Sequence, residues 1–478
     1  MRKASLIFSL TFSFYLHAQN IVEIGISKPY SLLNFMETAA GLRRTSSTLK
    51  SFIDGSIPGS DSFFYQLVNN FRNIQLDNSY RREGIPPDRR QFRSTYDLIC
   101  IAAVESETLA DFKRRTTGIL ANSEQQKLLS ILTASESYYD RIIGVPYRDQ
   151  FNRQLNEIRK LQQSCNTLFS KYRNFYNSTW TNDIPFTVAL YPIPGKRGNT
   201  TATPHANSLC VGMLTEETDY AGRIGVIAHE MCHVLYDEQL GSFQYHLDSA
   251  FAQDTSSFKN LAYSYFDEAL ATALGNGWAY QYITTKPDTT RWYNNIYING
   301  YAHALFPLVN QYLETNRQID DAFIKNAIRR FENQFPKALT DYGVLLNSMY
   351  LYTDMDSRER QSLNSIITRY FQGGRFNTSS PILHQNSLES LRNTNETQLI
   401  VIDRNHEATV SQLKKIFPAM EKHLQGKKDN NYIQSFSDGS GRAVIIIYVE
   451  NKDQLDRAFQ QLSQVQYMDE AHPYQPIR

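Results

Sequence analysis

Two rhythms of hydrophobic spacing alternate along this 478-residue chain. Apolar residues at every second position mark strands, and apolar residues at i, i+3, i+4 and i+7 mark helices. Ile21-Val22-Glu23-Ile24-Gly25-Ile26 alternates like a strand. Residues 55–62 and 84–87 carry the Gly, Ser and Pro punctuation of loops. From Thr95 to Tyr176 the rhythm is helical. Leu98, Ile101, Ala102, Leu109 and Phe112 outline one helix; Leu128, Leu129, Ile131 and Leu132 a second; Phe151, Leu155, Ile158, Leu161 and Leu168 a long third. Strand spacing returns at 184–191 and 207–214, around a loop with Pro192, Pro194, Gly195 and Gly198. Ile224, Ile227, Ala228, Met231 and Leu235 then form an apolar helical stripe, with Asp219 or Thr218 as N-cap and Gly241 as the C′ residue.

Residues 242–260 are polar and read as loop or short helices. A helix begins near Ser264 and weakens at Gly275-Asn276-Gly277. Another spans about 292–313, broken or kinked near Pro307, and more helices follow to about 372. The stretch from Phe371 to Pro381 reads as a linker. Beyond it the rhythm changes: a strand at 399–402, a helix at 406–425, a turn at 438–441, a strand at 443–449 and a helix at 451–463. The expected fold class is α+β: a mainly helical domain with a small antiparallel-edged sheet, plus a small C-terminal α/β domain. The expected boundaries are a helical N-terminal region at 19–180, a central domain at 181–375, to which the chemistry below is assigned, and the α/β domain at 376–478.

Residues 1–18 have the grammar of a secretory signal: Arg2 and Lys3, an apolar run from Ala4 to Tyr15, and Leu16-His17-Ala18 as a cleavage site. The run is too short for a good membrane span. An exported protein, periplasmic or secreted and without a membrane span after signal removal, is therefore expected. Net charge is +1, with no basic stripe, which speaks against nucleic acid as a partner. The 30 tyrosines and 27 phenylalanines read as core and interdomain packing. Four cysteines (Cys100, Cys165, Cys210, Cys232) permit disulfides in an exported chain, but they are too sparse for a disulfide scaffold.

The chemistry concentrates in Val226-Ile227-Ala228-His229-Glu230-Met231-Cys232-His233-Val234-Leu235. Residues four apart share a helix face, so His229 and His233 can offer two imidazoles to one ion. Glu230 beside them is placed to handle the proton of an activated water. Cys232 reads as a small buried residue. Zinc hydrolases need a third protein ligand, and the third ligand separates their families. The metzincin positions are occupied here by Tyr236 and Gln239, which excludes that class, and the reverse H-x-x-E-H order is absent. Glu268, 35 residues after His233 on a second helix, is the preferred third ligand, with Glu238, His246, Asp248 and Asp267 as competitors.

The setting Phe266-Asp267-Glu268-Ala269-Leu270-Ala271-Thr272 resembles that of the gluzincins, the superfamily of thermolysin and aminopeptidase N. The resemblance covers about 184–310. It implies a zincin-like catalytic domain, a Zn2+ ion on His229, His233 and Glu268, Glu230 as general base, and peptide or protein as substrate. Tyr297-Ile298-Asn299-Gly300 matches a Tyr-x-x-Gly motif whose tyrosine stabilises the oxyanion, with Tyr301 and His303 as fallbacks. An edge strand before the active helix binds extended peptide in such enzymes, which points to 207–214. Val211-Gly212-Met213-Leu214 lacks the Glu and Asn with which aminopeptidases hold a free amino terminus, favouring an endopeptidase. Thr272 stands where thermolysin-like enzymes have an Asp, so the groups behind the ligands must differ. Two other readings remain: a non-catalytic envelope binding protein on a zincin scaffold, and a zinc amidase acting on cell-wall material. The C-terminal module carries no visible catalytic motif.

Overall fold

A computed structural model describes the chain except residues 1–19, 43–44, 77–78, 82–83, 87–88, 90–91, 373–374, 425–429 and 439–440. The expected signal peptide therefore lies outside the described residues. Helix takes up 57% of the described residues and strand 15%, so the fold class is α+β. Among the described residues no helix is long and apolar enough to cross a membrane. All four cysteines are free and buried, so the pairings that their even number permits are not made.

The strands in chain order are β1 (Val22–Gly25), the short pair β2 (Ser79–Arg81) and β3 (Phe92–Ser94), β4 (Phe186–Ile193), β5 (Ala202–His205), β6 (Ser208–Leu214), β7 (Ser348–Thr353), β8 (Arg375–Ser379), β9 (Thr397–Ile402), β10 (Tyr432–Ser437), β11 (Ala443–Tyr448) and β12 (Tyr474–Pro476). Contacts divide the chain into two compact units. The first runs to Asn78 and takes in Ser94–Ser170 and Trp180–Ile227; the second holds Ser79–Arg93, Lys171–Thr179 and everything from Ala228 onward. This partition differs from the expected boundaries, because strands β4 and β6 share one hydrophobic core with the N-terminal helices.

In the first unit the sheet order is β1-β4-β6-β5, with β6 parallel to β4 and antiparallel to β5. The strand expected at an edge, β6, is thus internal, and β5 forms the edge. Strand β5 falls in the stretch read as a loop, since Pro204 and the half-exposed Ala202 break any alternation. Gly212 of β6 is required by packing: a Cβ there would lie 2.7 Å from Ile193 Cδ1 and 2.9 Å from the Tyr191 ring. The first long helical run is divided at 105–108 into helices Thr95–Val104 and Leu109–Arg115. The third is divided at Leu161, into Arg148–Lys160 and Gln162–Phe175.

In the second unit a six-stranded sheet has the order β12-β10-β11-β9-β7-β8. Its central strands show why such a sheet forms: Leu399, Val401, Ile445 and Ile447 pack into one face, Ile400, Ile402, Val444 and Ile446 into the other. The expected linker contains strand β8, and the expected boundary at 376 falls inside that strand. As an edge strand of polar residues, β8 carries no apolar alternation to reveal it. The sheet also recruits β7 and the helix Ser357–Tyr370, whose Leu363 and Ile367 join its core, from residues expected in the catalytic domain.

The helices ahead of this sheet also sharpen the reading. Residues 242–260 hold the helix Gly241–Gln253, so Gly241 opens a helix instead of terminating one. The helix bearing Glu268 runs from Lys259 to Thr272 and passes into a π-helix, Ala273–Ala279, where bending at the glycines was expected. After the short helix Tyr280–Thr284, the helix Ile296–Glu314 runs unbroken through Pro307. It starts four residues later than expected, which leaves Trp292 and Tyr293 in a loop.

Candidate metal centre

The two histidines ride on the helix Tyr220–Asp237. Asp219 caps it, Oδ1 accepting from the Gly222 N–H at 2.9 Å. Its stripe of Ile224, Ile227, Ala228, Met231 and Leu235 is fully buried, which holds the helix in one rotation and aims His229 and His233 to the same side. The Lys259–Thr272 helix buries Ala262, Tyr265, Phe266, Ala269 and Leu270 and turns Asp267 and Glu268 toward the histidines.

Three donor atoms converge. His229 Nε2 and His233 Nε2 lie 3.0 Å apart, and Glu268 Oε2 lies 3.6 Å from the first and 3.7 Å from the second. A triangle with these sides has a circumradius of about 2.0 Å, which matches the length of a zinc bond to nitrogen or carboxylate oxygen, so the three residues fit such an ion. Glu268 is part-exposed along its stem, yet Oε2 is sealed from solvent and has no hydrogen-bond partner among the described residues. A buried, unsatisfied carboxylate oxygen facing two imidazole nitrogens is costly unless something cationic lies between them.

Behind the triangle, Asp267 Oδ2 lies 3.0 Å from His233 Nδ1. A carboxylate on the far nitrogen fixes the tautomer that leaves Nε2 free to coordinate, and it makes the imidazole a better donor. This answers the question raised by Thr272. That residue is buried, its hydroxyl without a partner among the described residues, and the supporting acid is supplied by the neighbour of Glu268 instead.

Charge and burial shape the site together. Burial raises the Glu230 carboxyl above its usual range, with His229 and His233 opposing and Glu268 and Asp267 reinforcing. Burial works to lower the His233 imidazole, but Asp267 and Glu268 outweigh it and hold the group well above its usual range. Burial works to raise Glu268, but His233 and His229 hold it well below. Cys232 is fully buried and its thiol is pushed up by burial.

The competing acids are engaged elsewhere. Glu238 accepts from Arg93 Nη2 at 2.6 Å, Asp248 from Arg89 Nε at 3.0 Å and from the Tyr263 hydroxyl at 2.9 Å, and His246 Nε2 meets Asp321 Oδ1 at 2.9 Å. Tyr297 is also occupied: its hydroxyl donates to Asp341 Oδ1 at 3.1 Å and its ring packs on Tyr265 and Phe335. Tyr301 is fully buried and donates to the Ala327 carbonyl, and His303 stacks on Trp292. The tyrosine brought beside the donors is Tyr293, half-buried, its ring 6.2 Å from that of His229 and inclined by 26°. Sequence reasoning missed it because the helix was begun at 292. The signal was Asn295, an N-cap whose Oδ1 accepts from the N–H groups of Tyr297 and Ile298.

No protein-family model matches this chain, and no curated protein or solved structure matches it.

Proposed function

We propose that this chain is an exported zinc metallopeptidase that cleaves internal peptide bonds. The observation that supports this reading most is the convergence of His229 Nε2, His233 Nε2 and Glu268 Oε2, with Asp267 behind His233. The donor set suits zinc: two imidazoles and one carboxylate leave a fourth position open. When bound there, zinc supplies Lewis acidity toward water and toward a carbonyl.

The side chains account for the rest. Glu230, adjacent to the first histidine and buried, accepts a proton from the attacking water and delivers it to the departing amine nitrogen. Tyr293 takes over by position the oxyanion role expected of Tyr297, whose hydroxyl Asp341 already accepts. The endopeptidase reading comes from the sequence alone, where Val211-Gly212-Met213-Leu214 lacks the Glu and Asn of aminopeptidases; β6 itself is internal and offers no open edge. A scaffold without catalysis has no use for an acid at Glu230.

The test is zinc content together with digestion of a peptide library. The wild type should carry one zinc per chain and cleave. Glu230→Gln should keep the zinc and lose about 10²–10⁴-fold in rate. Full activity in Glu230→Gln refutes the mechanism. Zinc binding with no cleavage of any peptide supports a scaffold or an amidase instead.

A further inference from the structure

Tyr293 stands in a loop, yet its backbone is held from two sides. The N–H groups of Trp292 and Tyr293 both donate to Asn299 Oδ1, at 2.8 and 3.2 Å. Arg291 Nε donates to the Tyr293 carbonyl at 2.9 Å, and its Nη2 to the Asn294 carbonyl. The Trp292 indole lies against His303, ring centroids 3.7 Å apart, and edge-on to Phe306, and its Nε1–H reaches the Asp288 carbonyl at 3.3 Å. The far rim of the indole meets Gly277: a Cβ built there would lie 2.8 Å from Trp292 Cη2 and 2.8 Å from Phe306 Cδ2. Gly277 belongs to the π-helix Ala273–Ala279, the direct continuation of the helix that bears Asp267 and Glu268. Such π-turns concentrate at functional sites.

We propose that Trp292 is a positioning residue: wedged against Gly277, it ties Tyr293, beside His229, to the helix that supplies the third donor. The tyrosine and Glu268 then keep a fixed relation although one stands in a loop and the other on a helix. A methyl group at 277 has to push the indole or Phe306 aside, and the shared acceptor Asn299 couples any movement of Trp292 to Tyr293. The geometric part stands alone; the catalytic consequence rests on the metallopeptidase reading.

The first test needs no metal. The full chain is labelled with ¹³C in its ten histidine rings, and the His229 signal is assigned with His229→Gln. Tyr293→Ala should move the His229 signal by removing the ring beside it. Trp292→Ala and Gly277→Ala, which approach the wedge from opposite sides, should move it in the same direction while His205 stays put. An unmoved His229 signal in both wedge variants, or in Tyr293→Ala, overturns the proposal. The second test uses the zinc-loaded protein and a cleaved peptide. Trp292→Ala should lower kcat about 10²-fold, as a misplacement of about 1 Å does. KM and zinc affinity should stay within about twofold, because no ligand is touched. Adding Tyr293→Phe should bring no further loss, since the two residues act as a unit; losses that multiply overturn the proposal. A wild type that cleaves nothing refutes the metallopeptidase reading, and the histidine spectra still decide the wedge.

Discussion

Asp267 is the residue whose removal says most about the centre. It touches no ion directly; its Oδ2 holds His233 Nδ1 at 3.0 Å. A hydrogen bond with a charged partner contributes about 1.5–3 kcal/mol. The Asp267 side chain is 40% exposed, so the lower half of that range applies, about 1.5–2 kcal/mol. Converted at 1.4 kcal/mol per factor of ten, this gives zinc affinity weaker by about 10–30-fold in Asp267→Ala, within the range for residues that orient metal ligands. Asp267→Asn should lose less, about threefold to tenfold, because an amide oxygen can still accept from Nδ1–H without the charge. Its new amide group would take the place of Oδ1, which is buried and has no partner among the described residues, so Asn will turn its oxygen toward His233. The assay is competition for zinc against a chelating dye at pH 7.5, with circular dichroism to confirm folding. An Asp267→Ala affinity within twofold of wild type would refute the idea that this carboxylate tunes a metal-binding imidazole.

Three further outcomes are expected. In the zinc-free protein His233 stays protonated above its ordinary 6.5, so its pairing with Asp267 and Glu268 stabilises fully below 6.5 and is lost as pH rises through the raised folded value. Zinc needs the neutral ring, so binding at pH 7 should release about one proton, falling toward none in alkali; calorimetry in two buffers of different ionisation enthalpy reads this, and no release at pH 7 would contradict it. Tyr297→Phe should cost about 0.5–1.5 kcal/mol in urea unfolding, the worth of its bond to Asp341, and leave kcat within about twofold; a hundredfold loss of kcat would return the oxyanion role to Tyr297. Ile446→Ala, fully buried in the C-terminal sheet, should destabilise that sheet by about 2–5 kcal/mol and leave zinc affinity unchanged; altered zinc binding would show the sheet and the site to be energetically linked.

What could be read in the sequence was whatever depends on near neighbours. The i, i+4 spacing of His229 and His233 needs only one helix, and the buried stripe from Ile224 to Leu235 declares that helix without help. Strands β4, β6, β9 and β11 announced themselves through runs of buried apolar residues and the edge strand β1 through its alternation, whereas the internal strands β7 and β10, which bury Ser348, Thr353, Gln434 and Ser435, did not. Edge strands β5, β8 and β12 did not, since one open side relaxes the demand for alternation. Glu268 was chosen from its neighbours' pattern, but only packing of two helices brings its Oε2 within 3.7 Å of both imidazole nitrogens. The division of labour between adjacent acids, Glu268 toward the donors and Asp267 behind His233, is a matter of helix rotation that no local pattern encodes. The same holds for the tyrosines. Tyr297 fits a motif, yet Asp341, 44 residues downstream, accepts its hydroxyl. Tyr293 fits none and is placed beside His229, 64 residues upstream, by a loop braced on Asn299 and Gly277. Sequence by itself determined the helix and the two imidazoles, because one turn of backbone suffices to set them. Tertiary structure decided which acid and which phenol meet them, because those groups are joined to the histidines only through the packing of separate elements.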